Sequence, residues 1–326
     1  MLPIQKLTAL AFTALMTLGG VRAADDHIVF EGKDGPGKGK HIVFLSGDEE
    51  YRSEEGLPML AKILSERHGF KCTVLFSIDQ DGFISPNSQE SVTHPEALDS
   101  ADAIVMLLRF RHWSDEARQH FTDAINRGVP VIGLRTATHA FNDKELGSFG
   151  KKVLGETWVN HWGSHKHEAT RAIVEESAKG DPILNGVSDI FVTTDVYEAH
   201  PPADVKILFR GQVLKGMNPN DPPADYRKKT NAKVEQGVND PMMPIAWTRL
   251  ALNAGPKANH VFCTTMGAAS DLVNESLRRL IVNAVYQGLE MPVPAKADVT
   301  FVGTYEPTMY GFNGYRKNVK PADMQK

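Results

Sequence analysis

Four short, uninterrupted apolar runs, separated by segments of helical periodicity, constrain this chain more than any other feature. The runs are His41-Ile42-Val43-Phe44-Leu45, Cys72 to Phe76, Ala103 to Leu108 and Val129 to Leu134. A strand apolar on both faces must be covered on both faces, which is the signature of a parallel sheet between helices. The helical segments fit. Ser53 is expected to cap a helix with Glu54 and Glu55 in its first turn, Leu57, Leu60, Ala61 and Leu64 on one face, and His68-Gly69 as its stop. A second helix is expected from about Ser114 to Arg127, with Ala117, Phe121, Ala124 and Ile125 on one face and Gly128 as terminator. The pattern predicts an α/β fold: a doubly wound, mostly parallel sheet flanked by helices.

The second half is less regular. Strands are expected near Thr170–Val174, Val205–Phe209, Pro244–Thr248 and His260–Thr265. A helix is expected from about Leu272 to Leu289, with Leu272, Leu277, Leu280, Ile281, Ala284 and Val285 buried and Arg278, Arg279 and Gln287 outside. The domain spans 40–290. Residues 24–39, rich in Gly, read as a flexible lead-in, 215–243 as a loop insertion, and 291–326 as an extended tail with aromatic anchors Phe301, Tyr305, Tyr310, Phe312 and Tyr315.

Charge excludes one class of partner. Lys and Arg number 36 against 40 Asp and Glu, a net charge of −4, and no basic run offers a phosphate-neutralising surface, so nucleic acid is not expected. Lys6, the apolar stretch Leu7–Val21 and Val21-Arg22-Ala23 compose a secretory signal over residues 1–23, cleaved after Ala23. The expected product is exported, periplasmic or extracellular, with no membrane span after cleavage. The two cysteines, Cys72 and Cys263, fall in strand-like segments and read as buried hydrophobes rather than as a disulfide framework.

In an open parallel sheet, ligands sit beyond the carboxyl ends of the strands. Here those ends deliver Ser46-Gly47-Asp48-Glu49-Glu50-Tyr51-Arg52, Ser77-Ile78-Asp79, Arg109-Phe110-Arg111-His112-Trp113 and Gly133-Leu134-Arg135-Thr136-Ala137-Thr138-His139. Small residues flank Arg135, as a sharp strand-to-helix turn requires if its central side chain is to project. A guanidinium there suits a carboxylate, an oxyanion or sugar hydroxyls, and His139 follows one turn later as a candidate acid or base. The alternative is that Arg135 pairs internally with Asp48 or Glu49 and His139 packs in the core. Asp48, Glu49, Tyr51, Arg109, Arg111, Thr136, Trp158 and Tyr197 are the candidate substrate-binding residues. Arg135, His139, Glu156, His161 and Asp195 are the candidate catalytic ones. His161, His165 and His167, with Glu168 or Asp195, could hold Zn²⁺, although their spacing matches no specific zinc motif. Trp158 and Trp162 suit a sugar-stacking platform or the core.

Ser46 to Tyr51, Gly133 to His139, Leu154-Gly155-Glu156-Thr157-Trp158-Val159-Asn160-His161, Asp195-Val196-Tyr197 and Thr264-Thr265-Met266-Gly267 occur in an order that resembles the ThuA-like (trehalose-utilisation) family, in particular its exported branch. The resemblance spans about 40–290. It implies a class I glutamine amidotransferase-like (flavodoxin-like) fold and a role in carbohydrate utilisation, on a trehalose-like or keto-sugar glycoside. The chain departs from the family pattern in carrying Arg135 where members commonly have His, and Gly267-Ala268 where they often have Gly-His. Two functions follow as expectations. One is a hydrolase- or lyase-like enzyme on a small carbohydrate, and the other is a non-catalytic carbohydrate-binding or interaction protein on the same scaffold. No Cys at the elbow means no glutaminase.

Overall fold

The computed structural model describes residues 26–325, so the expected leader at 1–23 lies outside the described residues. A short strand, β1 (His27–Phe30), precedes the four apolar runs, which form β2 (His41–Gly47), β3 (Lys71–Phe76), β4 (Ala103–Leu108) and β5 (Val131–Leu134). Successive side chains point to opposite faces, so Ile42 and Phe44 enter one core and Val43 and Leu45 the other. The first core is closed by α1 (Ser53–His68) and α3 (Glu275–Gly288), which contribute Leu57, Leu60, Leu277 and Leu280. The second is closed by α2 (Asp115–Asn126) through Ala117 and Phe121. The sheet is covered by helices on both faces, as the apolar runs require.

The second half adds two-residue strands β6 (Asn160–His161) and β9 (Tyr197–Glu198), which pair with each other, and a small ribbon of β11 (Arg227–Lys229) with β12 (Glu235–Gly237). Between and after these come β7 (Thr170–Val174), β8 (Ile190–Val192), β10 (Lys206–Val213), β13 (Met243–Ala251) and β14 (Asn259–Thr264). The main sheet runs β1-β3-β2-β4-β5-β14-β13-β10-β7-β8. Strands β3, β2, β4, β5 and β14 are mutually parallel, and the pairings outside them are antiparallel. The switch at β13 has a simple cause: the connection 252–258 is too short for a crossover, so β14 must return beside its neighbour.

Several expectations change in detail. Arg52, at φ 57°, precedes α1, and Ser53 is its first helical residue rather than its cap. The Ser53 hydroxyl instead accepts the Asp48 N–H (3.0 Å) and the Ser46 hydroxyl (3.0 Å), tying down the loop after β2. Gly69 does stop the helix at φ +80°, with the Gly69 and Phe70 N–H groups donating to Ser65 and Leu64 carbonyls. The lead-in is not loose. It contains β1, and Gly35 and Gly37 lie where a β-carbon would collide with the His68 carbonyl and the Phe70 ring, so these glycines permit close packing. Arg278 and Arg279 are buried, not outside, because the C-terminal tail lies over that side of α3. Their Nε atoms donate to Val299 O and Ala297 O (3.0 Å each). Cys72 and Cys263 are buried free thiols in β3 and β14, four strand steps or on the order of 19 Å apart.

Candidate functional site

Of the four carboxyl-end loops expected at the site, those after β2, β4 and β5 converge through their charged groups, and much of that charge is spent on one another. Asp48 accepts the Glu50 and Tyr51 N–H groups (2.7 and 2.5 Å) and the Thr136 hydroxyl. Glu49 accepts the fully buried Arg111, the Gln89 amide (2.8 Å) and, more distantly, Arg109 (3.4 Å). Asp48, Glu49, Arg111 and Thr136 therefore join the loops together. Glu156 is turned away to the Thr157 and His200 N–H groups, and among the described residues no hydrogen bond joins it to His139, His161 or His165.

Arg135 stands on the elbow at φ 43°, a left-handed conformation that costs a non-glycine residue energy and is retained where surroundings over-determine it. The cause is visible: the Arg135 N–H donates to Met266 O (3.0 Å), while its guanidinium is fully buried between two tyrosine rings, 3.7 Å from the centre of Tyr197 and 4.6 Å from that of Tyr51. It donates to Asp195 O and Thr265 O (2.7 Å each), to Asp195 Oδ1 (2.8 Å) and to the Tyr51 hydroxyl (3.1 Å). The side chain expected to project toward a ligand pairs inward instead. Its partner is Asp195, not Asp48 or Glu49.

Asp195 is the hub of the site. Its Oδ2 lies 2.7 Å from His161 Nδ1 and its Oδ1 lies 3.0 Å from His165 Nδ1. Burial opposes ionisation, but Arg135 and the two imidazoles hold this carboxyl well below the usual carboxylate range. A carboxylate only accepts, so Nδ1 of both histidines carries the proton. His165 Nε2 meets a second carboxylate, Glu50 Oε1, at 3.0 Å. With acids at both nitrogens the ring is an imidazolium, and its hydrogen bonds to Asp195 and Glu50 push its pKa up to about 9. His161 differs. Its Nε2 takes no hydrogen bond among the described residues, and its side chain is 33% exposed.

His139 is a third case. Burial, then the positive charges of Arg109 and Arg135, push it down to about 3, so it is neutral. It packs between Phe110 (5.2 Å between ring centres) and Trp158 (5.1 Å). Trp158, half-buried, stands edge-on to His161 (4.9 Å) and Tyr197 (4.6 Å). Trp162 is core, its Nε1 donating to Val238 O (2.7 Å).

The tail completes the site. Tyr310 packs on Tyr51 (5.3 Å) and His165 (5.8 Å), and Gly311 joins the loop after β2 through its N–H to Glu50 O (2.8 Å) and its carbonyl to Arg52. Phe312 is 53% exposed and lies under the Arg109 guanidinium. Tyr310, His165, His161, Trp158, His139, Phe110 and Phe312 form an aromatic rim around the Tyr51–Tyr197–Arg135 stack. Sequence reasoning placed Tyr310 and Phe312 as anchors of the tail, and it missed Glu50 and Phe110 as site residues. Their aromatic or acidic character was visible, but no periodicity ties position 310 to position 50.

His161, His165 and Asp195 each offer a donor atom within 4.8 Å of the others, whereas His167 is exposed and stands outside this group. Zinc needs lone pairs at about 2.0–2.2 Å. To supply one from Nδ1, His165 would have to lose the proton that it shares with Asp195, beside the Arg135 cation. The donor set as it stands suits proton handling better than a metal.

The trehalose-utilisation family model ThuA matches residues 41–286. No protein of curated function matches the chain. Among solved structures, a ThuA-like protein from Parabacteroides merdae aligns with a TM-score of 0.52 at 13% identity, over 77% of this chain and 90% of that one. A ThuA-like protein from Bacteroides uniformis aligns with a TM-score of 0.49 at 16% identity, over 79% and 93%. With a family match over most of its length on a doubly wound sheet, the chain belongs to the ThuA, trehalose-utilisation family.

Proposed function

We propose that this chain is an exported enzyme of carbohydrate utilisation that acts on a trehalose-like or keto-sugar glycoside, by hydrolase- or lyase-type acid–base chemistry. The observation that carries the reading is His161, with Nδ1 pinned by the buried Asp195 and Nε2 free on the aromatic rim. A carboxylate–imidazole pair of this kind fixes the tautomer and orients the ring, so Nε2 can take a proton from water or from the carbon beside a keto group. His165, fixed as a cation between Glu50 and Asp195, stabilises negative charge that develops next to it. Trp158 and the exposed Phe312 offer flat apolar faces on which a sugar ring stacks. Arg135 is a positioning residue, because its donors reach Asp195 and Tyr51 rather than open space. Export is supported by the leader-like segment at 1–23.

The test is incubation of the protein with trehalose, sucrose and their 3-keto derivatives, with products followed by mass. Turnover that H161A abolishes supports the reading. Binding without turnover would make the chain a carbohydrate-binding protein on this scaffold, and the inward pairing of Arg135 favours that second reading. Neither binding nor turnover would reject both.

A further inference from the structure

Two acids of the rim are each shared by two cations. Glu49 is shared by two guanidinium groups, but Arg111 holds it in a fully buried contact while Arg109 reaches it only at 3.4 Å. Glu50 is shared in the same way: His165 holds it at 3.0 Å, and Lys166 stands off at 3.9 Å. In each case an inner cation makes the close contact and an outer cation the long one, Arg109 to Glu49 Oε2 and Lys166 to Glu50 Oε1. The exposure follows the same order. Glu49 and Glu50 are 7% exposed in their side chains, whereas Arg109 is 23% and Lys166 44% exposed.

Arg109 is also held in place. Its guanidinium lies 4.4 Å from the centre of the Phe110 ring and 5.1 Å from that of Phe312, so a loop residue and a tail residue bracket it. Its Nη1 faces Glu49, and Nε and Nη2 take no acceptor among the described residues. Lys166 Nζ lies beside Gly311, the neighbour of Phe312, so residues 311 and 312 place both outer cations on the same stretch of rim. A guanidinium immobilised between rings with one edge free is a fork matched to a planar carboxylate, and its conformational freedom is already reduced before a ligand arrives. A neutral sugar needs no such fork.

We propose that the site takes an acidic carbohydrate, a sugar carrying a carboxylate of the uronic-acid type, and that Arg109 is the residue that recognises the carboxylate. This rests on the carbohydrate reading above and narrows it. Lys166 adds long-range attraction, while the aromatic faces take the ring.

The experiment is calorimetric titration of the full chain with methyl glucuronide, methyl glucoside and glucose 6-phosphate, at low and high salt. The expected result is that methyl glucuronide binds about tenfold or more tightly than methyl glucoside. That advantage shrinks at high salt. R109Q brings the ratio of the two affinities close to one, and R109K, which keeps the charge but not the fork, retains part of it. The thermal unfolding midpoint of each variant shows whether it folds. Should R109Q not fold, the R109K ratio and the salt dependence decide. Equal binding of glucuronide and glucoside overturns the acidic-ligand inference and leaves the carbohydrate reading standing. Tighter binding of glucose 6-phosphate than of glucuronide overturns the carboxylate assignment. Binding of none of the three overturns both.

Discussion

The parallel half of the sheet and the irregular half of the chain divide the work unequally. Loops after β2, β4 and β5 carry many ionisable residues, yet Asp48, Glu49, Arg111 and Thr136 are engaged with one another. The groups with a free edge come mostly from elsewhere: His161 from β6, Trp158 from the segment before it, and Phe312 from the tail. Arg109 is the exception, a parallel-half residue that keeps an open edge. The regular half builds a rigid ledge, and the irregular half supplies the open face. A crowd of charges at strand ends is therefore a guide to where a site lies, and a poor guide to which residues act in it.

The sharpest way to break this division is at the joint between the halves. D195N leaves the buried Arg135 without its counter-ion and is expected to cost about 3–5 kcal/mol in denaturant unfolding, since an uncompensated buried charge is what remains. A cost below 1 kcal/mol would mean that the hub does not hold the halves together. Within the irregular half, H161A should lower turnover by roughly 10²–10⁴ with little change in stability. E156Q, at a residue turned to backbone N–H groups, should leave turnover within a factor of about two, against the ~10²–10⁴ of a true acid or base. Reversal of that order would return Glu156 to the chemistry.

Two predictions concern pH. Glu54, in the first turn of α1, is buried with neither oxygen hydrogen-bonded among the described residues, and burial pushes its carboxyl up to about 8. A folded value above the unfolded one favours the native state at low pH, and that advantage is lost as pH rises through about 8. Stability should fall from pH 5 to pH 8 in the parent chain, by on the order of 2 kcal/mol, and the slope should flatten in E54Q. His165 is smaller in effect and has the same sign. With its pKa at about 9, the stabilisation from Asp195 and Glu50 is fully present below the unfolded value of 6.5 and disappears as pH climbs through 9, and H165Q should remove this dependence. Titration of the His165 ring near 6.5 by NMR would contradict the double carboxylate clamp.

How much was legible in the sequence follows from the same division. Strands β2 to β5 hold runs of apolar residues at successive positions, so their burial on both faces can be read directly. The parallel order and the elbow at Arg135 followed from that. The fate of Arg135 did not, because its partner Asp195 is 60 residues away and no local rule pairs them. Arg278 and Arg279 misled for the opposite reason. Charge at helical spacing normally marks solvent, and only the overlying tail carbonyls make that face an interior. His165 could be seen as a ligand-type residue, but its state depends on Glu50, which is 115 positions away.

The contact between Gly311 and the Glu50–Arg52 loop spans almost the whole chain. A ribosome releases this protein from its N-terminus, and domains begin to fold as they emerge. The ledge can form before residues 310–312 are added, but the rim cannot. That order is protective: the recognition surface comes into being only after residues 310–312 have been made, so a product truncated before them would keep much of its sheet and lack a finished site.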